Sequence, residues 1–257
     1  MPKIITLTAD NLEEHGFFCK MSARKSAGWK AKRDWLMARF EEGLQLRLLG
    51  DGERGFIEFM PGAKCWRAIE DAEEFVVIHC LWVVGKSRGQ GFARDLLAEA
   101  DTWARGHGFR GVAALTSRDN WLIAPGVLEH HGFRRVGRAG QVFELWAKAD
   151  GIHDDPRISG GWTQKAAACG PGVTVLRSAQ CPYLEDAAAK ARAAAEDLGL
   201  PFKEILLKTA EDVRRLSPTP YGTYALVKDG QCVSYHYLPE KDAKRALSAP
   251  AGARHNG

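Results

Sequence analysis

Apolar residues recur along this chain with two periods, and the elements change where the period changes. Residues 1–8, Met-Pro-Lys-Ile-Ile-Thr-Leu-Thr, alternate and predict an opening strand. Residues 9–21 and 25–44 repeat at helical intervals, and Trp29, Trp35, Leu36, Phe40 and Leu44 share one face of the second helix. Strands follow at 44–49 and 55–60, joined by Gly50-Asp51-Gly52-Glu53-Arg54, a hairpin turn signal. Residues 75–84, Phe-Val-Val-Ile-His-Cys-Leu-Trp-Val-Val, are apolar on both alternations, the mark of a central strand covered on two faces. A helix over 92–106 then shows Leu96, Leu97, Ala100 and Trp103 on one side. After it come a strand at 108–117, a short helix ending in Leu128-Glu129-His130-His131-Gly132-Phe133, and a strand at 142–147.

From residue 173 the pattern starts afresh: strand (173–178), helix (182–198), strand (202–207), short helix (209–216), two strands (223–228 and 231–238) and a closing helix (240–247). Asp229-Gly230 is the turn between the paired strands, and Thr209 with Asp212 fits an N-terminal capping arrangement. Composition divides the chain at the same place. All five tyrosines lie in the last third, whereas seven of the eight tryptophans precede residue 150. The polar, Gly-rich residues between the halves lack periodicity. The expected organisation is therefore a first domain over 1–150, a linker over 151–170, a second domain over 171–248 and a disordered tail over 249–257.

The totals narrow the partners. With 257 residues, 45% hydrophobic and 26% charged, each half has enough apolar material for its own core. A net charge of +4 suits phosphate-bearing ligands, but no basic run tracks a duplex, so nucleic acid is not an expected partner. The N-terminus lacks the apolar core of a signal peptide, no stretch is long enough to span a bilayer, and a cytoplasmic protein with no membrane partner is expected. The six cysteines are scattered, without a Cys-x-x-Cys pair or histidines at zinc spacing, so no metal is expected. Cys65 and Cys232 read as small buried side chains.

One segment carries recognisable chemistry. Arg88-Gly89-Gln90-Gly91-Phe92-Ala93 lies between the apolar strand and the helix that follows it. Glycines at such a junction let backbone N–H groups approach an anion, and the helix N-terminus adds its partial positive charge. Alone, Gly89-x-Gly91 fits a mere connecting turn equally well; the strand before it and the helix after it favour a phosphate site. The order of elements, with Arg88, Gly91 and Ala93 in the phosphate loop and Gly132-Phe133 closing a short helix, resembles the GNAT superfamily of N-acetyltransferases over residues 1–150.

That resemblance implies an α/β GNAT fold, a mixed sheet with splayed central strands flanked by helices. The strand over 78–84 parts from its parallel neighbour over 111–117, and acetyl-CoA or another acyl-CoA enters the cleft. Leu81, Trp82 and Val83 then hold the acyl carbonyl and pantetheine, and Arg88, Gly89, Gln90, Gly91, Phe92 and Ala93 the pyrophosphate. The tyrosine that such enzymes often use to protonate the departing thiolate is missing: Leu128 occupies its place, and Asn120 stands one position early for an asparagine that commonly faces the cofactor. Cys80, His79, His130 and His131 are substitutes, although the last two read more readily as exposed helix-end residues. Glu58 reads as general base or as a solvent-facing strand residue; Trp66 and Trp82 read as acceptor-pocket walls or as core.

The second half resembles the thioredoxin-like order, a smaller α/β domain. Cys181-Pro182-Tyr183 stands where that superfamily keeps its reactive cysteine at a helix start, with Leu184 in place of a second thiol and Pro218 or Pro220 near the place of its cis-proline. Asn11-Leu-Glu-Glu-His15, His79-Cys-Leu-Trp-Val83 and Gln180-Cys-Pro-Tyr183 are together similar to GNAT proteins with a YoaP-type C-terminal domain. The expected function is acyl-CoA-dependent N-acylation of a small amine, with the second domain shaping or covering the acceptor site. Its alternatives are a non-catalytic acyl-CoA sensor and a thiol-dependent enzyme using Cys181.

Overall fold

The computed structural model describes residues 2–118, 121–151 and 154–249. The chain forms two compact units: Met1–Met21, Arg33–Cys65 and Ile69–Ile158 make the first, and Ser22–Lys32, Trp66–Ala68 and Ser159–Gly257 the second. Residues 22–32 and 66–68 therefore join the second unit although they precede the expected linker. Asn120 and the tail from residue 250 lie outside the described residues.

The first unit is built on a seven-stranded sheet in the order β1-β2-β3-β5-β6-β8-β7. Its strands are β1 (Ile4–Leu7), β2 (Gln45–Leu49), β3 (Gly55–Pro61), β5 (Phe75–Val83), β6 (Gly111–Ser117), β7 (Arg134–Ala139) and β8 (Phe143–Ala149). The short strands β4 (Ile69–Glu70) and β9 (Arg157–Ile158) pair separately. All neighbours in the large sheet are antiparallel except β5 and β6, which are joined through α3 (Phe92–Gly106). A parallel pair needs such a crossover.

The core explains why the apolar stripe of α3 is needed. Leu96, Leu97 and Ala100 pack on Ile57, Phe59, Val76, Ile78 and Leu81, which therefore share one face of β3 and β5, with Leu128 and Phe133 completing the cluster. Burying each leucine stabilises by roughly 1.5–3 kcal/mol. On β3 the alternate residue between Ile57 and Phe59 is Glu58, which consequently points to the opposite face.

Three expectations fail here. Residues 9–21 do not form a continuous helix: α1 (Leu12–His15) ends at once, because Gly16, Phe18 and Lys20 all take positive φ and turn the chain. The second helix, α2 (Ala27–Phe40), is shorter than expected, starting where the Ser26 hydroxyl accepts from Trp29 N–H. β7 is a strand the apolar pattern does not announce, since Arg-Arg-Val-Gly-Arg-Ala is an edge strand with exposed arginines.

The second unit has a four-stranded sheet, order β11-β10-β12-β13, from β10 (Val173–Arg177), β11 (Phe202–Leu206), β12 (Tyr224–Lys228) and β13 (Gln231–Ser234). β10 and β11 are parallel, and β12 and β13 antiparallel to their neighbours. Helix α4 (Pro125–His130) belongs to the first unit; α5 (Trp162–Ala167), α6 (Leu184–Asp197), α7 (Ala210–Leu216) and α8 (Glu240–Ser248) belong to the second. Helix α6, whose buried residues include Ala187, Ala191 and Ala194, packs on α8, β10 and β11. Thr209 closes a capping box with Asp212, as its spacing predicts. Asp229 and Gly230 both take positive φ, the geometry of a tight hairpin turn.

Segment 66–68 is fixed in this unit by Arg67. Its buried guanidinium donates to Tyr221 O at 3.0 Å and Thr223 Oγ1 at 3.1 Å and lies over the Tyr221 ring. Gly222 makes the approach possible: a Cβ there would meet Ala68 N and Arg67 Cα at 3.1 Å.

Candidate functional site

β5 and β6 pair in register from Phe75 with Gly111 to Ile78 with Ala114, and no further. Beyond that point β5 stays bonded to β3 through Val83 with Gly55, while β6 stays bonded to β8 through Ser117 with Phe143. Each strand keeps its outer neighbour and loses the inner one, so the sheet opens in a V between them. The register with β3 shifts here: Phe59 faces Ile78 but Glu58 faces Cys80, leaving His79 as the extra residue of a bulge. A bulge bends its strand and raises the local twist, which accounts for the parting.

The bulge also arranges side chains. His79 and Cys80 both fall on the Glu58 face, and His79 Nδ1 lies 3.2 Å from Glu58 Oε1 with the Trp35 ring 6.3 Å from the imidazole. Glu58 is buried, which contradicts its reading as a solvent-facing residue. Cys80 is half-buried, and Trp82, two residues further along the same face, is 37% exposed. Leu81 turns into the α3 core and Val83 is half-buried.

β5 leads directly into the loop. Arg88, Gly89, Gln90 and Gly91 are exposed, and Phe92 and Ala93 are half-buried at the first turn of α3. Gly89 and Gly91 take φ of 77° and 82°, the left-handed region that glycine enters without strain. Nothing lies within 4 Å of a Cβ built at Gly89, so its φ requires a glycine where crowding does not. Gly91 is the N-cap of α3 and no side chain caps the helix, which leaves the helix start to an incoming anion. Lys86 and Arg94 are exposed beside it, so the donor set fits a pyrophosphate.

Residues 10–133 match the model of the Acetyltransferase (GNAT) family. The chain carries a GNAT acetyltransferase domain. The whole chain is 28% identical over 251 residues to "Uncharacterized N-acetyltransferase YoaP" of Bacillus subtilis (strain 168), covering 96% of this chain and 99% of that protein. Among solved structures, the ribosomal-protein-alanine N-acetyltransferase from Brucella melitensis is 18% identical, covering 57% of this chain and 99% of its own, with a TM-score of 0.43. The yncA structure from Salmonella typhimurium, solved with its cofactor acetyl-CoA, is 16% identical over 60% of this chain and 97% of its own, also with a TM-score of 0.43.

Within the GNAT domain, Leu128 at the tyrosine place is wholly buried in the core, so no acid reaches the cleft from there. His130 is exposed at the end of α4. His131 is half-buried, and that burial, together with the positive charges of His130, Arg94 and Lys148, holds its imidazole below the ordinary value. Trp66 is not an exposed pocket wall: it is buried and counted with the second unit. The His79 bond to Glu58 was missed by sequence reasoning, because a bulge shifts the alternation that a strand pattern assumes.

The second unit holds Cys181, half-buried in the turn that leads into α6, where Leu184 N–H bonds Cys181 O at 3.1 Å. The helix proper starts at Leu184, later than the expected 182, so Cys181 stands in the turn ahead of the helix rather than at its start. Among the described residues no peptide bond is cis, so Pro218 and Pro220 do not supply the expected cis-proline. Cys65 is buried as expected; Cys232, on edge strand β13, is exposed as a residue, while its thiol donates to Ser234 O at 3.5 Å and burial pushes it up to about 12. Among the described residues no cluster of His, Cys, Asp and Glu forms a metal site, and no helix is long and apolar enough to cross a membrane.

Proposed function

We propose that this protein transfers an acetyl group from acetyl-CoA, or the acyl group of another acyl-CoA, to the amine of a small acceptor. The observation that carries the reading is the parting of β5 from β6 after Ile78 and Ala114, directly ahead of a loop with two left-handed glycines at the start of α3. The thioester supplies an activated acyl carbon. Leu81, Trp82 and Val83, on the stretch that has left β6, hold the acyl and pantetheine part through their backbone; Arg88–Ala93 holds the pyrophosphate with backbone N–H groups and the Arg88 side chain.

Amine transfer also needs proton handling. Glu58, oriented by His79, takes the proton from the acceptor amine. Cys80, facing Glu58 across the strands, returns a proton to the departing thiolate in place of the tyrosine. The second unit is thioredoxin-like, a reading supported by its strand order, and Cys181 is its reactive thiol. Its motif holds no second thiol, because the buried Leu184 stands where one would be. The scattered cysteines without a Cys-x-x-Cys pair support a cytoplasmic location.

Release of free thiol from acetyl-CoA in the presence of a panel of small amines tests this directly. Saturable, amine-dependent release is the expected result. Tight binding with no turnover across the panel would favour a sensor, the reading that the buried Leu128 supports.

A further inference from the structure

We propose that Ser87 is a positioning residue for the phosphate loop, its hydroxyl clamped by Glu53 and Arg54 at the tip of the β2–β3 hairpin so that the loop is held in the shape that takes the CoA pyrophosphate. The inference rests on the acyl-CoA reading above and names residues outside the loop that set its donor affinity.

Ser87 is 0% exposed, although both neighbours, Lys86 and Arg88, are exposed. Its hydroxyl is used twice: it donates to Glu53 Oε2 at 2.6 Å and accepts from Arg54 N–H at 2.8 Å. The Arg54 carbonyl in turn accepts from Val84 N–H at 3.0 Å. The ladder between β3 and β5 ends at Gly55 with Val83, and these bonds continue it by one more step, with a side-chain oxygen replacing a backbone carbonyl. A hydroxyl donor to a carboxylate is among the stronger neutral–ionic bonds, and burial of the serine shields it from water.

The hairpin that makes the clamp is itself held. Lys3 N–H donates to Asp51 Oδ2 at 2.9 Å, and Gly50 N–H to Lys3 O at 2.7 Å. Gly55 lets the hairpin lie close on β5, since a Cβ there would stand 2.9 Å from Trp82 O. Beyond Ser87, the Gln90 side chain donates to Lys86 O at 2.8 Å, and α3 is rooted by the buried Leu96 and Leu97. The exposed residues 88–91 are thus fixed at one end by Ser87 and at the other by the helix. A loop already in its bound shape loses less conformational freedom on binding, which raises affinity without a contact to the ligand.

The test compares two donors in the full chain: acetyl-CoA, and the acetyl thioester of N-acetylcysteamine, which carries the thioester but no phosphate. In Ser87→Ala, kcat/KM for acetyl-CoA is expected to fall about tenfold through KM, equivalent to about 1.4 kcal/mol, with the Kd for CoA by titration calorimetry rising equally. Turnover of the truncated donor stays within about twofold. Glu53→Ala reproduces the loss, and Glu53→Gln, which keeps an acceptor for the serine hydroxyl, recovers most of it. Equal losses with both donors would mean general damage and overturn the proposal, as would an unchanged CoA affinity in a variant whose parent binds CoA. A parent chain that does not bind CoA overturns the acyl-CoA reading itself.

Discussion

His79 Nδ1 and Glu58 Oε1 lie 3.2 Å apart with both side chains shut off from solvent, 0% and 2% exposed. A buried carboxylate is costly unless it is hydrogen-bonded, so the pair stands or falls together. Glu58→Gln keeps shape and removes the proposed base: kcat is expected to fall by about 10²–10⁴-fold, the usual worth of a general base. Its pH–rate profile loses the limb that the parent shows. His79→Ala removes this hydrogen bond from a buried carboxylate, costing roughly 1.5–3 kcal/mol in a denaturant melt, whereas His79→Asn restores a donor near the Nδ1 position and recovers part of it. An unchanged profile in Glu58→Gln would remove that residue from the mechanism.

Gly91 tests the loop by backbone conformation. At φ 82° any L side chain is strained, and the nearest atom to a built Cβ is Arg94 Nη2 at 3.6 Å, so space is available and conformation alone decides. Gly91→Ala is expected to cost roughly 1–2 kcal/mol of local strain, relieved by shifting the helix start, and to raise the CoA Kd by about tenfold or more in titration calorimetry.

The second unit depends on a different glycine. Gly222 takes φ 84°, and a Cβ there would stand 2.9 Å from Val213 Cγ1 and 3.1 Å from the backbone at Arg67 and Ala68. Gly222→Ala combines strain with crowding against Val213 and the backbone of segment 66–68 and is expected to destabilise by roughly 2–4 kcal/mol. A urea melt reads it, and a change below about 0.5 kcal/mol would contradict the packing of segment 66–68 described above.

Glu144 carries the acid dependence of the first unit. Burial pushes its carboxyl upward, but bonds from Arg138, Trp146 and Arg135, with the Arg135 charge, outweigh that and hold it below its ordinary value of 4.5. A depressed carboxyl contributes stability that is fully present above 4.5 and is lost as pH falls through the folded-state value. Melting temperature should therefore drop on the acid side of 4.5, and Glu144→Gln should flatten that limb while lowering stability at pH 7.

What the sequence made legible was local. The apolar run of β5, the glycines after it and the Leu96, Leu97, Ala100 stripe of α3 are short-range patterns, and each stands in the structure where it was expected. The parting of β5 from β6 followed from family resemblance rather than from any residue pattern. Features set by distant partners escaped. Arg67 finds its acceptors 154 and 156 residues away, and Ser87 finds Glu53 34 residues away, at spacings that no periodicity encodes. Residues 9–21 mislead for the opposite reason: their apolar spacing is helical, but Phe18 and Lys20 adopt left-handed backbone that only the surrounding fold imposes. In β7, alternation is masked because Arg135 and Arg138 are drawn to the buried Glu144 across a register shift.

The V between β5 and β6, with the Arg88–Ala93 loop, is the proposed binding place of acetyl-CoA. Titration calorimetry of the full chain with acetyl-CoA tests it most directly: a saturable isotherm with one cofactor per chain, weakened in Gly91→Ala, is the predicted result, and no binding at millimolar cofactor would contradict it.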